Sequence, residues 1–209
     1  MARGKFIVLD GPEGCGKTTQ ARRLHEWLQD QGKKVLLTRE PGGTRLGETL
    51  RTALLDKRGP GVVPRAELFL FLADRAQHLE EVVVPALERG EWVVSDRFST
   101  STLAYQGIAQ GLGLEAVGEM DAFARQGVEP DLTIVLDVAA EVGLDRVSLF
   151  GHQKIEERGV AFHRRVREGF LSLAAQDPRC VVIDASASES KVWGEVRRAV
   201  KERLLSERR

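Results

Sequence analysis

The sequence predicts an α/β fold, a five-stranded parallel sheet flanked by helices, and three observations carry that prediction. Strand-like apolar runs alternate with helical patterns along the whole 209 residues. The five runs are continuously apolar rather than alternating, as strands covered on both faces require. The first of them leads directly into a glycine-rich turn and then a helix.

Taken in order, Phe6 to Leu9 reads as a buried strand, and apolar periodicity predicts a helix from about Thr18 to Gln31. Val35 to Leu37 is the second strand, followed by a loop rich in Gly and Pro at Glu40 to Gly43. Leu46 to Leu55 is helical, and a longer helix begins near Pro64 and extends to Glu88. Trp92 to Val94 is a short strand ending in Ser95-Asp96. Leu132 to Leu136 and Val181 to Ile183 are the last two, each preceded by a loop containing Pro, at 130 and 178. Val160 to Ala175 and Ser188 to Leu205 carry apolar residues three and four apart and read as helices. With no repeat, linker or low-complexity tract, a single domain over 1–209 is expected. In such sheets ligands bind beyond the carboxyl ends of the strands.

Composition narrows the function. Lys plus Arg and Asp plus Glu are 31 each, so no overall field favours nucleic acid or an anionic membrane, and any anion site is built locally. The two cysteines, Cys15 and Cys180, form no disulfide or zinc pattern, which suits a reducing compartment. The apolar run in MARGKFIVLDG stops at Asp10, too soon for a signal peptide, and no stretch approaches the ~20 apolar residues of a span. A cytoplasmic protein is expected. Asparagine is absent, and with it the Asn-Lys-x-Asp signal that reads guanine.

The chemistry is announced by GPEGCGKT, which satisfies Gly-x-x-x-x-Gly-Lys-Thr through Gly11, Gly16, Lys17 and Thr18. A chance match in a chain this long is on the order of one in a hundred. The glycines let backbone N–H groups turn inward around phosphate, and the helix start adds partial positive charge. Gly11, Pro12, Glu13, Gly14, Cys15, Gly16, Lys17, Thr18 and Thr19 are therefore the expected ATP site. Lys17 reaches the β- and γ-phosphates, and the Thr18 hydroxyl is the expected ligand of Mg2+. Asp96, at the end of a neighbouring strand, is the expected acidic partner of that metal. An Asp at a strand end is commonly a turn or cap residue; beside this loop the metal reading gains.

Several further stretches, FIVLDGPEGCGKTTQ, TREPGGT at 38–44, FLADR at 71–75, SDRFSTSTLAYQG at 95–107, PDLTIVLDV at 130–138 and FHRRVREGFLSLA at 162–174, make the chain resemble the bacterial thymidylate kinases over nearly its whole length. The resemblance implies a P-loop NTPase fold with a short mobile lid at about 147–159. It also implies transfer of the γ-phosphate of ATP to dTMP, giving dTDP, in a homodimer. An acceptor phosphate must be neutralised before another phosphoryl group approaches, and the guanidinium fork is suited to that. Arg97, just past Asp96, is the best candidate, and the resemblance adds Arg39 and Arg51; for Arg51 the competing reading is a solvated helix face. By resemblance Phe71 stacks on thymine, although LFLFLA is apolar all round and Phe71 reads equally as core. Arg75, one turn on, contacts a ring carbonyl, while Ser101, Tyr105 and Gln106 lie along the base and sugar edges. The Tyr105 ring against the ribose would exclude a 2′-hydroxyl. Glu13 is expected to accept from the sugar 3′-hydroxyl or to sit near the metal, Asp10 to join the dTMP site, and Arg146 to lie over adenine.

One departure matters. A transition-state arginine contributes ~10³–10⁵ in rate in phosphoryl transfer. Here the phosphate loop holds none, and the lid reads VSLFGHQKIEER with Lys154 where an arginine is expected. Lys154 acts as a point charge, Arg158 or Arg146 swings in, or turnover is poor. His25, His78, His152 and His163 read as ordinary surface histidines. Cys15, at a helix N-terminus, is expected to have a lowered pKa and to be alkylation-sensitive, without a catalytic role. Two other readings stay open: a kinase for a different nucleoside monophosphate, and a nucleotide-dependent switch. The missing guanine signal and the acceptor-side arginines count against the switch.

Overall fold

A computed structural model describes residues 3–56, 61–148 and 158–206. Its sheet has five parallel strands in the order β2-β3-β1-β4-β5. They are β1 (Phe6–Asp10), β2 (Val35–Arg39), β3 (Trp92–Asp96), β4 (Leu132–Asp137) and β5 (Cys180–Asp184). The register aligns Leu9 with Asp96 and Asp96 with Arg39, so three functional strand ends share one edge.

Side chains alternate across β1 into two cores. Ile7 and Leu9 pack toward α1 (Lys17–Asp30) and α9 (Glu189–Val200), with Leu24, Leu28, Val192 and Val196. Phe6 and Val8 face the opposite layer, with Leu79, Val83, Leu87 and Phe98. Every residue of β1 is buried, which is why the strand reads as one apolar run.

The predicted 64–88 helix is α3 (Pro64–His78) and α4 (Val84–Glu88) joined through a π turn, Leu79–Val83. Pro85 supplies the reason for the wider turn, since it has no N–H to return to the preceding turn. Helix α2 (Arg45–Leu55) starts where the Thr44 side chain accepts the Gly47 N–H at 2.9 Å. Three helical stretches went unread in the sequence: α5 (Ser99–Thr102) with its π turn Leu103–Ala109, α6 (Leu114–Arg125) and α7 (Ala140–Ser148). α5 is one turn of Ser and Thr, poor helix formers whose structure here comes from packing. Helix α8 (Gly159–Gln176) closes that side with Phe162, Val166 and Phe170 around Tyr105.

A candidate phosphoryl-transfer site at the strand ends

A cavity of about 740 Å³ opens at the carboxyl ends of β1, β2 and β3, lined by residues of the phosphate loop and by Arg39, Arg51, Arg75, Arg97 and Arg146. The loop begins at Gly11, where φ is +137° and a Cβ would come within 2.4 Å of the Leu136 carbonyl oxygen, so only glycine fits. Lys17 is buried, its ammonium donating to the carbonyls of Gly11 at 3.0 Å and Pro12 at 2.7 Å and to Cys15 Sγ at 3.4 Å. Thr18 Oγ1 donates to Asp96 Oδ2 at 2.5 Å, so a hydroxyl and a carboxylate from different elements meet at one point. Thr19, beside them, borders the same cavity.

Arg97 adopts φ +76°, rare for a residue with a side chain and a cost of about 1–2 kcal/mol. Its N–H bonds the Leu9 carbonyl at 3.0 Å, and its own carbonyl accepts from Ser95 Oγ at 2.8 Å. So held, its guanidinium donates to Glu13 Oε1 at 2.7 Å and Ser101 Oγ at 3.0 Å, 5.3 Å above the Tyr105 ring. Burial opposes its charge, but Glu13, Tyr105 and the two aspartates outweigh this and hold its pKa well above the usual value. Tyr105 also donates to Glu13 Oε1, at 2.9 Å. Burial pushes the Glu13 carboxyl up; Arg97, Lys17 and the Tyr105 hydroxyl overcome that and hold it at about 2. Both donors land on Oε1, leaving Oε2 as a further acceptor.

Arg39 and Arg51 border the cavity near Arg97. Arg39 pairs with Glu48 at 3.1 Å, and Arg51 is part-buried with Nη1 on the Pro41 carbonyl at 2.9 Å, so Arg51 is not on a solvated face. Burial and then the Arg39 charge lower the Arg51 pKa, with Arg97 adding to the effect. Converging like charges of this kind mark a place where an anion is stabilised.

Phe71 is half-buried and borders the cavity, while its neighbours Leu68 and Leu72 form the core contact of α3. Arg75 borders it too, though only 2% exposed. Its donors go to Glu40 Oε2 at 2.9 and 2.7 Å, Asp121 Oδ1 at 2.5 Å and Thr102 Oγ1 at 2.9 Å. Four of five N–H groups are thereby used, leaving one. Gln106 Nε2 donates to Glu67 Oε1 at 2.9 Å, and Arg146 reaches the carbonyls of Gly14 at 3.3 Å and Ala185 at 3.0 Å.

Some expectations need correction. Asp10 is fully buried and is not among the residues that border the cavity; its carboxylate accepts from Gly11 N, Ser101 N and Ser101 Oγ. Cys15 is buried, and burial pushes its thiol up rather than down, against the expected reactivity. His78 and His163 are buried rather than superficial, because each lies on the inward face of its helix. Lys154 and residues 149–157 of the expected lid lie outside the described residues, as does His152. Arg158 donates to Glu67 Oε2 at 2.5 Å and stacks 5.1 Å over Phe162. Glu40, Glu67, Asp74, Thr102 and Asp121, the buried polar residues behind the arginines and Gln106, were not foreseen from the sequence. No spacing rule marks them; their one signal is acidic residues inside otherwise apolar or glycine-rich stretches.

The thymidylate kinase family model matches residues 9–196. The chain belongs to the thymidylate kinase family. A thymidylate kinase of Carboxydothermus hydrogenoformans is 46% identical over 196 residues, covering 93% of this chain and 96% of the relative. One from a Synechococcus species, strain JA-3-3Ab, is 49% identical over 202 residues, covering 96% and 97%. The crystal structure of thymidylate kinase from Ehrlichia chaffeensis superposes with a TM-score of 0.78 at 32% identity, covering 95% of this chain and 99% of that one. This kinase is thus an ATP-dependent nucleoside monophosphate kinase on a P-loop NTPase fold. Phosphoryl transfer from ATP to dTMP is the function of its family.

Proposed function

We propose that this kinase carries out that transfer by gripping ATP on the loop 11–19 and dTMP on the facing arginines. The observation that carries the reading is that Arg39, Arg51 and Arg97 border the same cavity as the phosphate loop. In this reading the loop amides, Lys17 and the start of α1 hold the β- and γ-phosphates, and Arg146 lies against adenine. The three arginines neutralise the 5′-phosphate of dTMP, one of whose oxygens attacks the γ-phosphorus as ADP leaves, giving dTDP. Phe71 stacks on thymine, and the remaining N–H of Arg75 reaches a ring carbonyl. Ser101 orients Arg97, and Gln106 lies by the base. Glu13 Oε2 accepts from the 3′-hydroxyl, and Tyr105, locked to Glu13 Oε1, leaves no room for a 2′-hydroxyl.

Thr18 and Asp96 offer two hard oxygen donors at one point, and among the described residues no group of three metal-ligating side chains exists. That suits Mg2+, which takes few protein ligands and completes its shell with phosphate and water. When bound, Mg2+ supplies charge neutralisation on the phosphates.

Phe69 and Phe123 are 57% and 84% exposed on the packed pair α3 and α6, which supports a homodimer through that face. Free Cys15 and Cys180 fit a reducing compartment, the cytoplasm. Among the described residues no helix is long and apolar enough to cross a membrane. The test is an acceptor panel of dTMP, dUMP, UMP, CMP and AMP with ATP, following ADP. dTMP should lead; faster turnover of UMP or CMP would overturn the assignment.

A further inference from the structure

Helix α3 carries buried polar side chains that touch no part of the cavity. Asp74 and His78 are both 0% exposed and neither borders it. Asp74 Oδ1 accepts the Gly42 N–H at 2.9 Å, while Oδ2 has no hydrogen-bond partner among the described residues. His78 lies 2.6 Å from Thr38 Oγ1 through Nε2 and 3.1 Å from Glu40 Oε1 through Nδ1. With Arg75 on Glu40, one turn of α3 thus holds the stretch 38–42 at four points.

That stretch contains Arg39, and its Pro41 carbonyl receives Arg51. Asp74 also faces the start of α2. A Cβ on Gly47 would come within 2.5 Å of Asp74 Oδ1 and 2.7 Å of the Gly42 carbonyl, so helix and loop close on this carboxylate. Arg51 lies one turn beyond Gly47 on the same face. A buried carboxylate with an unpaired oxygen is destabilising, and an apolar side chain would avoid that cost. A side chain kept so, with no ligand to touch, has a geometric task.

We propose that Asp74 is a positioning residue for the acceptor phosphate, clamping the loop 40–43 against the first turn of α2 so that Arg39 and Arg51 converge with Arg97. The inference rests on the acceptor-site reading above. Burial and the neighbouring Glu40 push the Asp74 carboxyl up to about 6, while the Gly42 N–H, His78 and Arg75 pull it down.

The experiment is steady-state kinetics with each substrate varied, on purified enzyme checked by circular dichroism. Asp74→Ala should raise the KM for dTMP on the order of tenfold and leave the KM for ATP within a factor of about two. Asp74→Asn keeps an oxygen for Gly42 and should return the KM for dTMP to within about threefold of the parent. Gly47→Ala, which pushes the two elements apart from the other side, should give the same one-sided loss and decides the matter if Asp74→Ala does not fold. Equal losses for both substrates, or an Asn variant as impaired as Ala, overturn the inference. Arg39→Ala and Arg51→Ala run alongside. If neither raises the KM for dTMP, the acceptor-site reading itself fails; if they do and the Asp74 and Gly47 variants do not, only the clamp fails.

Discussion

The two halves of the cavity are built on different plans. On the proposed reading, the grip on the donor phosphates is one continuous stretch, Gly11 to Thr19, using mainly backbone groups and one ammonium, with its shape set by glycine conformations. The proposed acceptor half draws on five separate segments: the end of β2, α2, α3, the residues after β3, and α5 with its π turn. Its working groups are side chains, and behind them Glu40, Asp121, Glu67 and Asp10 fix their orientation. A backbone cradle tolerates side-chain change; a wall of propped guanidinium groups depends on each support. The two halves should therefore fail differently.

The largest effect is expected on the donor side. Lys17→Ala should lower kcat by ~10³ or more, since charge stabilisation dominates this chemistry, while the circular dichroism spectrum stays unchanged. Appreciable residual turnover would mean that the loop does not hold the donor phosphates. Next comes Arg97→Ala, which should reduce kcat/KM for dTMP by ~10² through loss of a charge-assisted phosphate contact, with ATP binding unaltered in a titration. A comparable fall in ATP affinity would erase the distinction between the halves. Phe71→Ala removes only a stacking surface, and about tenfold in the KM for dTMP is expected; an unchanged KM would return Phe71 to the core of α3.

A separate effect is on stability. Asp74 has a carboxyl raised to about 6 from the ordinary 3.8, so the folded chain binds the proton more tightly than the unfolded one. Between those two values stability falls as pH rises, and above about 6 the loss is complete. Asp74→Asn should thus melt higher than the parent at pH 7.5, by up to roughly 2 kcal/mol, with the gain fading toward pH 4. A thermal melt series across that range would show it; a gain that is flat with pH would assign the effect to something other than the proton.

The same contrast explains what the sequence revealed. The sheet was legible because β1 and its neighbours are buried on both faces and so are continuously apolar. The phosphate loop was legible because its parts are contiguous and each residue type has one reason to be there. Arg97 stood out because it follows Asp96 at a strand end. Asp74, Glu40 and Asp121 were not legible, because a buried carboxylate that props a group on another element leaves no periodicity or spacing behind. His78 was misread for the same reason: its partners Thr38 and Glu40 are 40 and 38 residues away. Helix α5 and its π turn escaped because Ser-Thr-Ser-Thr has weak helical preference, and packing against α6 and α8, with the hydrogen bonds of Ser99, Ser101 and Thr102 to distant residues, holds it there.

The division of the cavity into a donor and an acceptor half is tested most directly by a crossed pair of equilibrium titrations. ATP and dTMP are each titrated separately into Lys17→Ala and into Arg97→Ala. The account predicts that Lys17→Ala loses ATP affinity and keeps that for dTMP, while Arg97→Ala does the reverse. Parallel losses of both ligands in both variants would contradict it.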